Sequence, residues 1–201
     1  MKVAILGNGP SLKLDKAIYS HFTKILITNR LIWEDFSEWN CPMVYICADE
    51  RFGSSPEWVD MIWNTTHEVF LSDELALIFS EERRAKYFKS YKKLQVGHVA
   101  TEFMELFPLR QDMQANVVLD FGILVALNLG ATDIGLFGCD FDYKIYKASD
   151  KPNYFYSYEK RGISFDHSVG SSVNWSQKSQ IKFLLMKEFL SKHGVKLWIN
   201  P

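Results

Sequence analysis

Residues 5–12 read Ile-Leu-Gly-Asn-Gly-Pro-Ser-Leu and close the first apolar run of the chain. Residues 3–6 predict a buried strand that ends at a glycine turn, after which Pro10 and Ser11 favour the start of a helix. At the carboxyl end of a strand, such a turn lets a ligand approach the backbone, and the free N–H groups of a helix start favour phosphate. Leu12 replaces the third glycine of G-x-G-x-x-G, and no Gly-Lys-Ser/Thr follows. The stretch therefore indicates a nucleotide site that is neither an ordinary dinucleotide fingerprint nor a P-loop, with a ligand-free turn as the alternative.

Short β-rich runs recur along the chain and alternate with helical patterns. The predicted strands are residues 2–6, 24–28, 43–47, 68–71, 133–137 and 195–199. The predicted helices are residues 11–22, 56–63, 73–91, 113–129 and 174–193, the last with Ile181, Leu184, Leu185 and Phe189 on one face. Nearly continuous apolar strands are typical of a sheet that is covered on both faces. The alternation predicts an α/β fold with a doubly wound, mostly parallel sheet.

The composition favours one α/β domain that spans residues 1–201 and lies in the cytoplasm. The chain is 47% hydrophobic, enough for a full core, and its net charge of −1 gives no general attraction to nucleic acid or anionic membranes. The first apolar run is too short for a secretory signal, and no stretch approaches the ~18 apolar residues of a membrane span. Cys41, Cys47 and Cys139 have no metal-ligand spacing and suit a reducing compartment as small core residues.

The segment 142–172 does not fit the alternating pattern. It is rich in tyrosine and follows directly on a predicted strand end, where ligands bind in open α/β sheets. A long loop inside a compact domain is usually functional or disordered, and its aromatic residues argue against disorder. We interpret it as a lid, with a surface excursion or an oligomer contact as the alternatives.

Polar residues follow four of the predicted strands: Asn8, Asn29, Asp49 and Asp140. The carboxyl ends of neighbouring parallel strands lie at one edge of a sheet, so these side chains are expected to line one pocket. Asn and Asp are also common turn formers and helix caps, and each residue alone fits that structural role. Their recurrence at four strand ends favours a site.

Further candidates for chemistry lie in or beside the lid. Asp140 and Asp142 form a D-x-D pair, a weak signal for Mg²⁺ or Mn²⁺ that would be helped if the strand continued and pointed both carboxylates the same way. His167 lies near the end of the lid, where an imidazole can take a proton from an acceptor hydroxyl. Tyr143 and Tyr146 can donate hydrogen bonds to a departing phosphate, with aromatic packing as the other interpretation.

Taken together, these motifs resemble the bacterial sialyltransferases of glycosyltransferase family 42, which use CMP-sialic acid and act in lipooligosaccharide biosynthesis. The resemblance runs nearly end to end. It is carried by residues 5–13, Thr28-Asn29-Arg30, residues 32–35, residues 125–130, residues 134–141 and residues 195–201. The opening stretch and Gly138-Cys139-Asp140-Phe141 are its most specific parts.

The resemblance implies a Rossmann-like domain, a variant of the GT-A glycosyltransferase fold, with a lid and a CMP-sugar donor. It implies no obligatory metal, with Mg²⁺ or Mn²⁺ at Asp140 and Asp142 as the weak alternative, and His167 as the base. It is compatible with homo-oligomers and with peripheral contact at the inner face of the membrane. The residues assigned to the nucleotide and its loops are Gly7, Asn8, Gly9, Pro10, Ser11, Asn29, Asp49, Asn116, Gly138 and Asp140.

The chain also departs from the family pattern. The family's phosphate-binding Thr-Ser-Gly aligns with Val117-Val118-Leu119, so the resemblance transfers that contact to Asn116 or Gln114. The tyrosine expected after Asp-Phe is displaced by one position to Tyr143, and the histidine motif aligns only with a gap. A donor sugar other than sialic acid is compatible with these changes.

A second resemblance, to archaeal-type 6-hydroxymethylpterin diphosphokinases, rests on residues 7–12, 130–134 and 167–170. It implies ATP and Mg²⁺ at Asp140 and Asp142. The leading prediction is an inverting, sialyltransferase-like glycosyltransferase with a nucleotide-sugar donor and a glycan acceptor. The alternatives are the diphosphokinase and a nucleotide-binding protein that has lost its chemistry.

Overall fold

The computed structural model describes residues 1–79, 97–107, 117–141 and 172–200. Six strands form one open sheet in the order β4-β3-β2-β1-β5-β6, and every neighbouring pair is parallel. The strands are β1 (Lys2–Leu6), β2 (Lys24–Thr28), β3 (Met43–Cys47), β4 (Glu68–Leu71), β5 (Asp133–Phe137) and β6 (Lys196–Ile199). The predicted α/β class and all six strands are confirmed, with β6 beginning one residue later than predicted.

The helices lie on both faces of the sheet, as a doubly wound fold requires. They are α1 (Lys16–Tyr19), α2 (Pro56–Asn64), α3 (Asp73–Leu77), α4 (His98–Leu106), α5 (Ile123–Asn128) and α6 (Ser172–Lys192). Alternate residues of β1 face opposite layers, because side chains alternate along a strand. Val3 and Ile5 pack with α4, α5 and α6, whereas Ala4 and Leu6 pack with α1, α2 and α3.

The register places the carboxyl ends of the central strands level with one another. Leu6 of β1 lies opposite Ile27 of β2 on one side and Phe137 of β5 on the other. The chain winds outward from β1 in both directions, so the strand order reverses between β1 and β5. Ligands in open α/β sheets bind beside such a reversal. We call the ends of β1, β2, β3 and β5, with the loops that follow them, the carboxyl edge.

The predicted helix at residues 11–22 is wrong in its first half. Helix α1 begins only at Lys16, where the Asp15 side chain caps it by accepting from the Ala17 N–H. Residues before it form a turn, in which Leu12 N–H donates to the Gly9 carbonyl. Pro10 and Ser11 therefore do not open a helix, and they do not offer a phosphate the free N–H groups of a helix start.

Three other helix predictions meet different outcomes. The helix at residues 56–63 is confirmed and runs one residue further. Helix α3 ends at Leu77, and the rest of the prediction for 73–91 lies mostly outside the described residues. The helix predicted at 113–129 is described from Val117 and opens with a π-helical turn, Val117–Gly122, before α5.

The predicted inner face of the last helix is wrong for three of its four residues. Ile181, Leu184 and Leu185 are 58%, 62% and 53% exposed. The core instead receives Phe183, Met186, Phe189 and Leu190, of which only Phe189 was predicted. Two apolar stripes run along this helix at helical spacing, and the one that fits against β5, β6 and α5 is the one shifted by two residues.

None of the three cysteines forms a disulfide. Cys47 and Cys139 are buried, as expected of small core residues, whereas Cys41 is only partly buried. Within residues 1–79, 97–107, 117–141 and 172–200, no helix is long and apolar enough to cross a membrane.

Candidate functional site

The loops after β1 and β5 are bonded directly to each other. Gly7 N–H donates to the Phe137 carbonyl at 2.7 Å, and Gly9 N–H donates to the Gly138 carbonyl at 2.8 Å. Ser11 N–H then donates to Oδ2 of Asp140 at 3.3 Å. The glycine-rich stretch and the Gly138-Cys139-Asp140 stretch thus form one unit at the strand reversal.

The glycines of this unit are explained by the contact between the two loops. A Cβ on Gly9 would lie 1.9 Å from Asp140 Oδ2 and 2.7 Å from the Gly138 carbonyl oxygen, closer than side chains tolerate. Gly138 has a φ of +60°, a left-handed conformation that glycine adopts at little cost. These positions therefore need glycine whether or not a ligand approaches the backbone.

Asn8 lies between this unit and the end of β2. Its amide nitrogen donates to the Thr28 carbonyl at 3.2 Å and to Thr28 Oγ1 at 2.7 Å. A carbonyl oxygen can only accept, so the NH₂ group must face Thr28 and the amide oxygen must face away from it. Oδ1 of Asn8 is buried and has no hydrogen-bond partner among the described residues. An unmet buried acceptor costs about 1–3 kcal/mol, so this oxygen is suited to a ligand that donates a hydrogen bond.

Asn29 presents a second amide at the same edge. It follows β2 with a φ of +50°, and its backbone carbonyl accepts a hydrogen bond from the Tyr45 hydroxyl at 3.0 Å. Its Oδ1 is also buried without a hydrogen-bond partner in the described part of the chain. Asn8 and Asn29, both predicted as site residues, are therefore brought together through Thr28, each with a free amide oxygen.

The two aspartates at the carboxyl edge differ in their surroundings. Asp140 is exposed and holds the Ser11 N–H, whereas Asp49 is partly buried after β3 and its carbonyl accepts from Phe52 N–H. Burial, together with the nearby Cys47 and Asp49, raises the pKa of Tyr45 well above its ordinary value. Both aspartates lie at the predicted edge, and Asp140 already accepts a hydrogen bond from a backbone N–H.

Strand β5 does not continue to Asp140, so the strand continuation that would strengthen the D-x-D signal is not met. Strand β5 ends at Phe137, and Gly138 and Phe141 both have positive φ. Asp142 lies outside the described residues. Among the residues that are described, no group of three or more His, Cys, Asp or Glu side chains could hold a metal ion.

A buried ion pair beside the site was missed by sequence reasoning. Asp120, in the π-helical turn, pairs with Lys182 of α6, and the Asp120 side chain is 3% exposed. An aspartate inside the apolar run Val-Val-Leu-Asp-Phe-Gly was the available signal, because carboxylates are rarely buried without a partner. The turn belongs to the segment in which the phosphate contact is expected.

Several predicted site residues and the lid lie outside the described part of the chain. They are Asn116, Gln114, Tyr143, Tyr146, His167 and residues 142–171 of the lid segment. Their assigned roles remain predictions.

No protein-family model and no curated protein matches the sequence. Solved structures do match. The sialyltransferase CstII from Campylobacter jejuni, in complex with the substrate analogue CMP-3FNeuAc, is 17% identical with a TM-score of 0.56, covering 98% of this chain and 80% of that one. The monofunctional alpha-2,3-sialyltransferase Cst-I from Campylobacter jejuni is 16% identical with a TM-score of 0.59, covering 98% of this chain and 74% of that one. A mutant of the alpha-2,3/8-sialyltransferase CstII is 18% identical with a TM-score of 0.51, covering 99% of this chain and 81% of that one. Over nearly its whole described length, this chain shares the Rossmann-like fold of these sialyltransferases.

Proposed function

We propose that this protein is a sialyltransferase-like glycosyltransferase that transfers a sugar from a CMP-activated donor to a glycan hydroxyl with inversion. The fold is that of proteins described as sialyltransferases, and one of them was solved with a CMP-sugar analogue. The acceptor class suggested by the sequence resemblance is lipooligosaccharide, assembled in the cytoplasm or at the inner face of the membrane.

The observation that carries the proposal is the buried, partnerless Oδ1 of Asn8 at the carboxyl edge. Asn29 adds a second such oxygen nearby. A nucleoside supplies matching donors in its ribose hydroxyls and in the exocyclic amine of cytosine. Pairing with these donors would relieve the cost of the two unmet acceptors and favour a nucleotide over a ligand that only accepts.

The loop unit supports the same role. Asp140 accepts a hydrogen bond from the Ser11 N–H and lies against Gly9. These two contacts hold residues 7–11 in one conformation before any ligand binds. A preformed loop loses less conformational entropy on binding. In this proposal the floor of the nucleotide site is therefore formed by Gly7, Gly9, Pro10, Ser11 and Gly138, with Asp49 and Asn116 at its sides.

The chemistry is assigned to residues of the lid segment. The bond between the sugar carbon and the CMP phosphate oxygen breaks as the acceptor oxygen attacks from the opposite side, which inverts the centre. His167 takes the acceptor proton, and Tyr143 and Tyr146 donate to the phosphate as it gains negative charge. The lid covers the donor and excludes water that would hydrolyse it. No metal is obligatory in this scheme.

A thermal-shift panel tests the proposal. The wild-type protein is heated with CMP, CDP, UDP, GDP or ATP. Each nucleotide is tested twice, once in EDTA and once with added Mg²⁺. A ligand at 100 times its Kd stabilises by about 2.7 kcal/mol, which is readily detected. A metal-independent shift with CMP or CDP is expected. A shift with ATP and Mg²⁺ alone would favour the diphosphokinase alternative, and no shift with any nucleotide would overturn the proposed function.

A further inference from the structure

The hydroxyl of Tyr45, in β3, connects helix α2 to the turn that follows β2. The indole N–H of Trp58, in α2, donates to it at 2.8 Å, and it lies 3.0 Å from the backbone carbonyl of Asn29. An indole N–H can only donate and a carbonyl can only accept, so the hydroxyl accepts from Trp58 and donates to Asn29. The three residues form a one-directional chain of hydrogen bonds that ends at the carboxyl edge.

The end point of this chain is a residue with an unusual backbone. Asn29 has a φ of +50°, a left-handed conformation that costs energy for any residue with a Cβ and is most tolerable for Asn. It opens the 3₁₀ turn Asn29–Trp33, and no side-chain cap bond is made by Thr28, whose hydroxyl is used by the Leu6 carbonyl. The Tyr45 bond therefore holds the carbonyl of a residue that would otherwise relax toward ordinary backbone angles.

The two aromatic members of this chain of hydrogen bonds are shielded from solvent. Tyr45 and Trp58 are both 0% exposed and lie in the core layer that includes Phe52 and Leu31. Burial raises the pKa of Tyr45, so its hydroxyl keeps its proton, and its donor capacity, throughout the pH range of ordinary assays. Hydrogen bonds in a dry interior are stronger than those in water, and losing one partner leaves the other unmet.

We propose that Tyr45 and Trp58 are positioning residues of the nucleotide site, which hold the backbone of Asn29 so that its amide oxygen points at the ligand. The inference rests on the proposed function, because it assigns Asn29 to nucleotide binding. Neither aromatic residue touches the ligand. Both act through Asn29, whose side chain moves with its backbone, and a displacement of about 1 Å is enough to weaken a positioned contact.

The test is a binding cycle with Tyr45→Phe, which removes the hydroxyl and keeps the ring. Isothermal titration with CMP in EDTA is expected to show Kd raised roughly tenfold, the equivalent of one lost buried hydrogen bond. Trp58→Phe is expected to raise Kd in the same direction and serves as the second variant should Tyr45→Phe fold poorly. The matched control is Trp198→Phe, which loses a bond of 2.7 Å to Asp133 at the opposite edge of the same sheet and should leave Kd unchanged.

The cycle is closed with Asn29→Gly, because glycine adopts the left-handed backbone conformation but has no side-chain amide. In that background Tyr45→Phe should have no further effect on Kd, because nothing remains to be positioned. If the effects of Tyr45→Phe and Asn29→Gly on Kd simply add, Tyr45 acts on binding by another route and the inference is overturned.

Hydrogen exchange without ligand separates this inference from the proposed function. Amides of the Asn29–Trp33 turn should exchange faster in Tyr45→Phe than in wild type, and at the wild-type rate in Trp198→Phe. Unchanged exchange in Tyr45→Phe contradicts the inference even if CMP binds. Failure of the wild-type protein to bind any nucleotide overturns the proposed function, and exchange at the turn then decides alone whether Tyr45 holds Asn29.

Discussion

The amide nitrogen of Asn8 donates to Thr28 Oγ1 at 2.7 Å, and this bond ties the loop after β1 to the last residue of β2. The Thr28 hydroxyl in turn donates to the Leu6 carbonyl at 2.8 Å. The hydroxyl therefore closes the end of β1 against the end of β2. Because this hydroxyl donates to Leu6, it accepts from the amide nitrogen of Asn8, and the amide oxygen of Asn8 is left for a ligand.

Removing the Thr28 hydroxyl should affect both stability and the site. Thr28→Val leaves the Leu6 carbonyl without its bond and the Asn8 amide without one acceptor. We expect it to lower the free energy of unfolding by about 1–3 kcal/mol, measured by urea denaturation, and to weaken nucleotide binding. Thr28→Ser keeps the hydroxyl and should retain most of both. Full stability and binding in Thr28→Val, with the losses falling on Thr28→Ser instead, would show that the methyl group, not the hydroxyl, is what matters here.

The contact between the two glycine loops predicts a strict size limit at Gly9. The Cβ of Gly9→Ala would overlap Asp140 Oδ2 and the Gly138 carbonyl, so the loops must separate. We expect a loss of about 1–3 kcal/mol in the free energy of unfolding, together with loss of nucleotide binding. Gly97→Ala is the control, because a Cβ there meets nothing within 4 Å and its φ is −62°. Similar stability of the two alanine variants would refute the close loop contact.

The ion pair of Asp120 and Lys182 should contribute far more than an exposed pair. Lys182→Met leaves the Asp120 carboxylate buried without its cation, and we expect a cost of about 3 kcal/mol by chemical denaturation. Lys192→Met breaks an exposed pair with Glu188, whose side chains are 70% and 66% exposed, and should cost about 0.5 kcal/mol or less. Comparable costs for the two variants would mean that the π-helical turn does not depend on this pair.

The assignment of His167 as the base is tested by turnover of CMP-sialic acid with a galactose-terminated acceptor. Removal of a general base typically costs about 10²-fold in rate, so His167→Ala should lose activity by that order while CMP binding is kept. His193→Ala is a control at the far end of α6. Activity of His167→Ala within about threefold of wild type would exclude His167 as the base.

The sheet was predictable because its strands are short, apolar and bounded by glycine or polar turns. The position of Asn8 and Asn29 at one edge of the sheet was also predictable, since it follows from the strand order. The turn at residues 11–15 was not predictable, because Asp140, which binds the Ser11 N–H, is far away in sequence. Helix α6 carries two apolar stripes, and only packing decides between them. Tyr45 gave no signal, since a tyrosine in an apolar strand looks like any other core residue.

The most direct test of the account is the affinity of CMP for Asn8→Ala, measured by isothermal titration in EDTA beside wild type and Asn128→Ala. Asn128 is the matched control, because its amide nitrogen also donates to a backbone carbonyl and its Oδ1 is also buried with no hydrogen-bond partner among the residues that the structure describes. It ends α5, far from the carboxyl edge. We expect Asn8→Ala to weaken CMP binding roughly tenfold or more and Asn128→Ala to bind CMP as wild type does. Equal affinity of Asn8→Ala and wild type, or no binding of CMP by wild type, would contradict it.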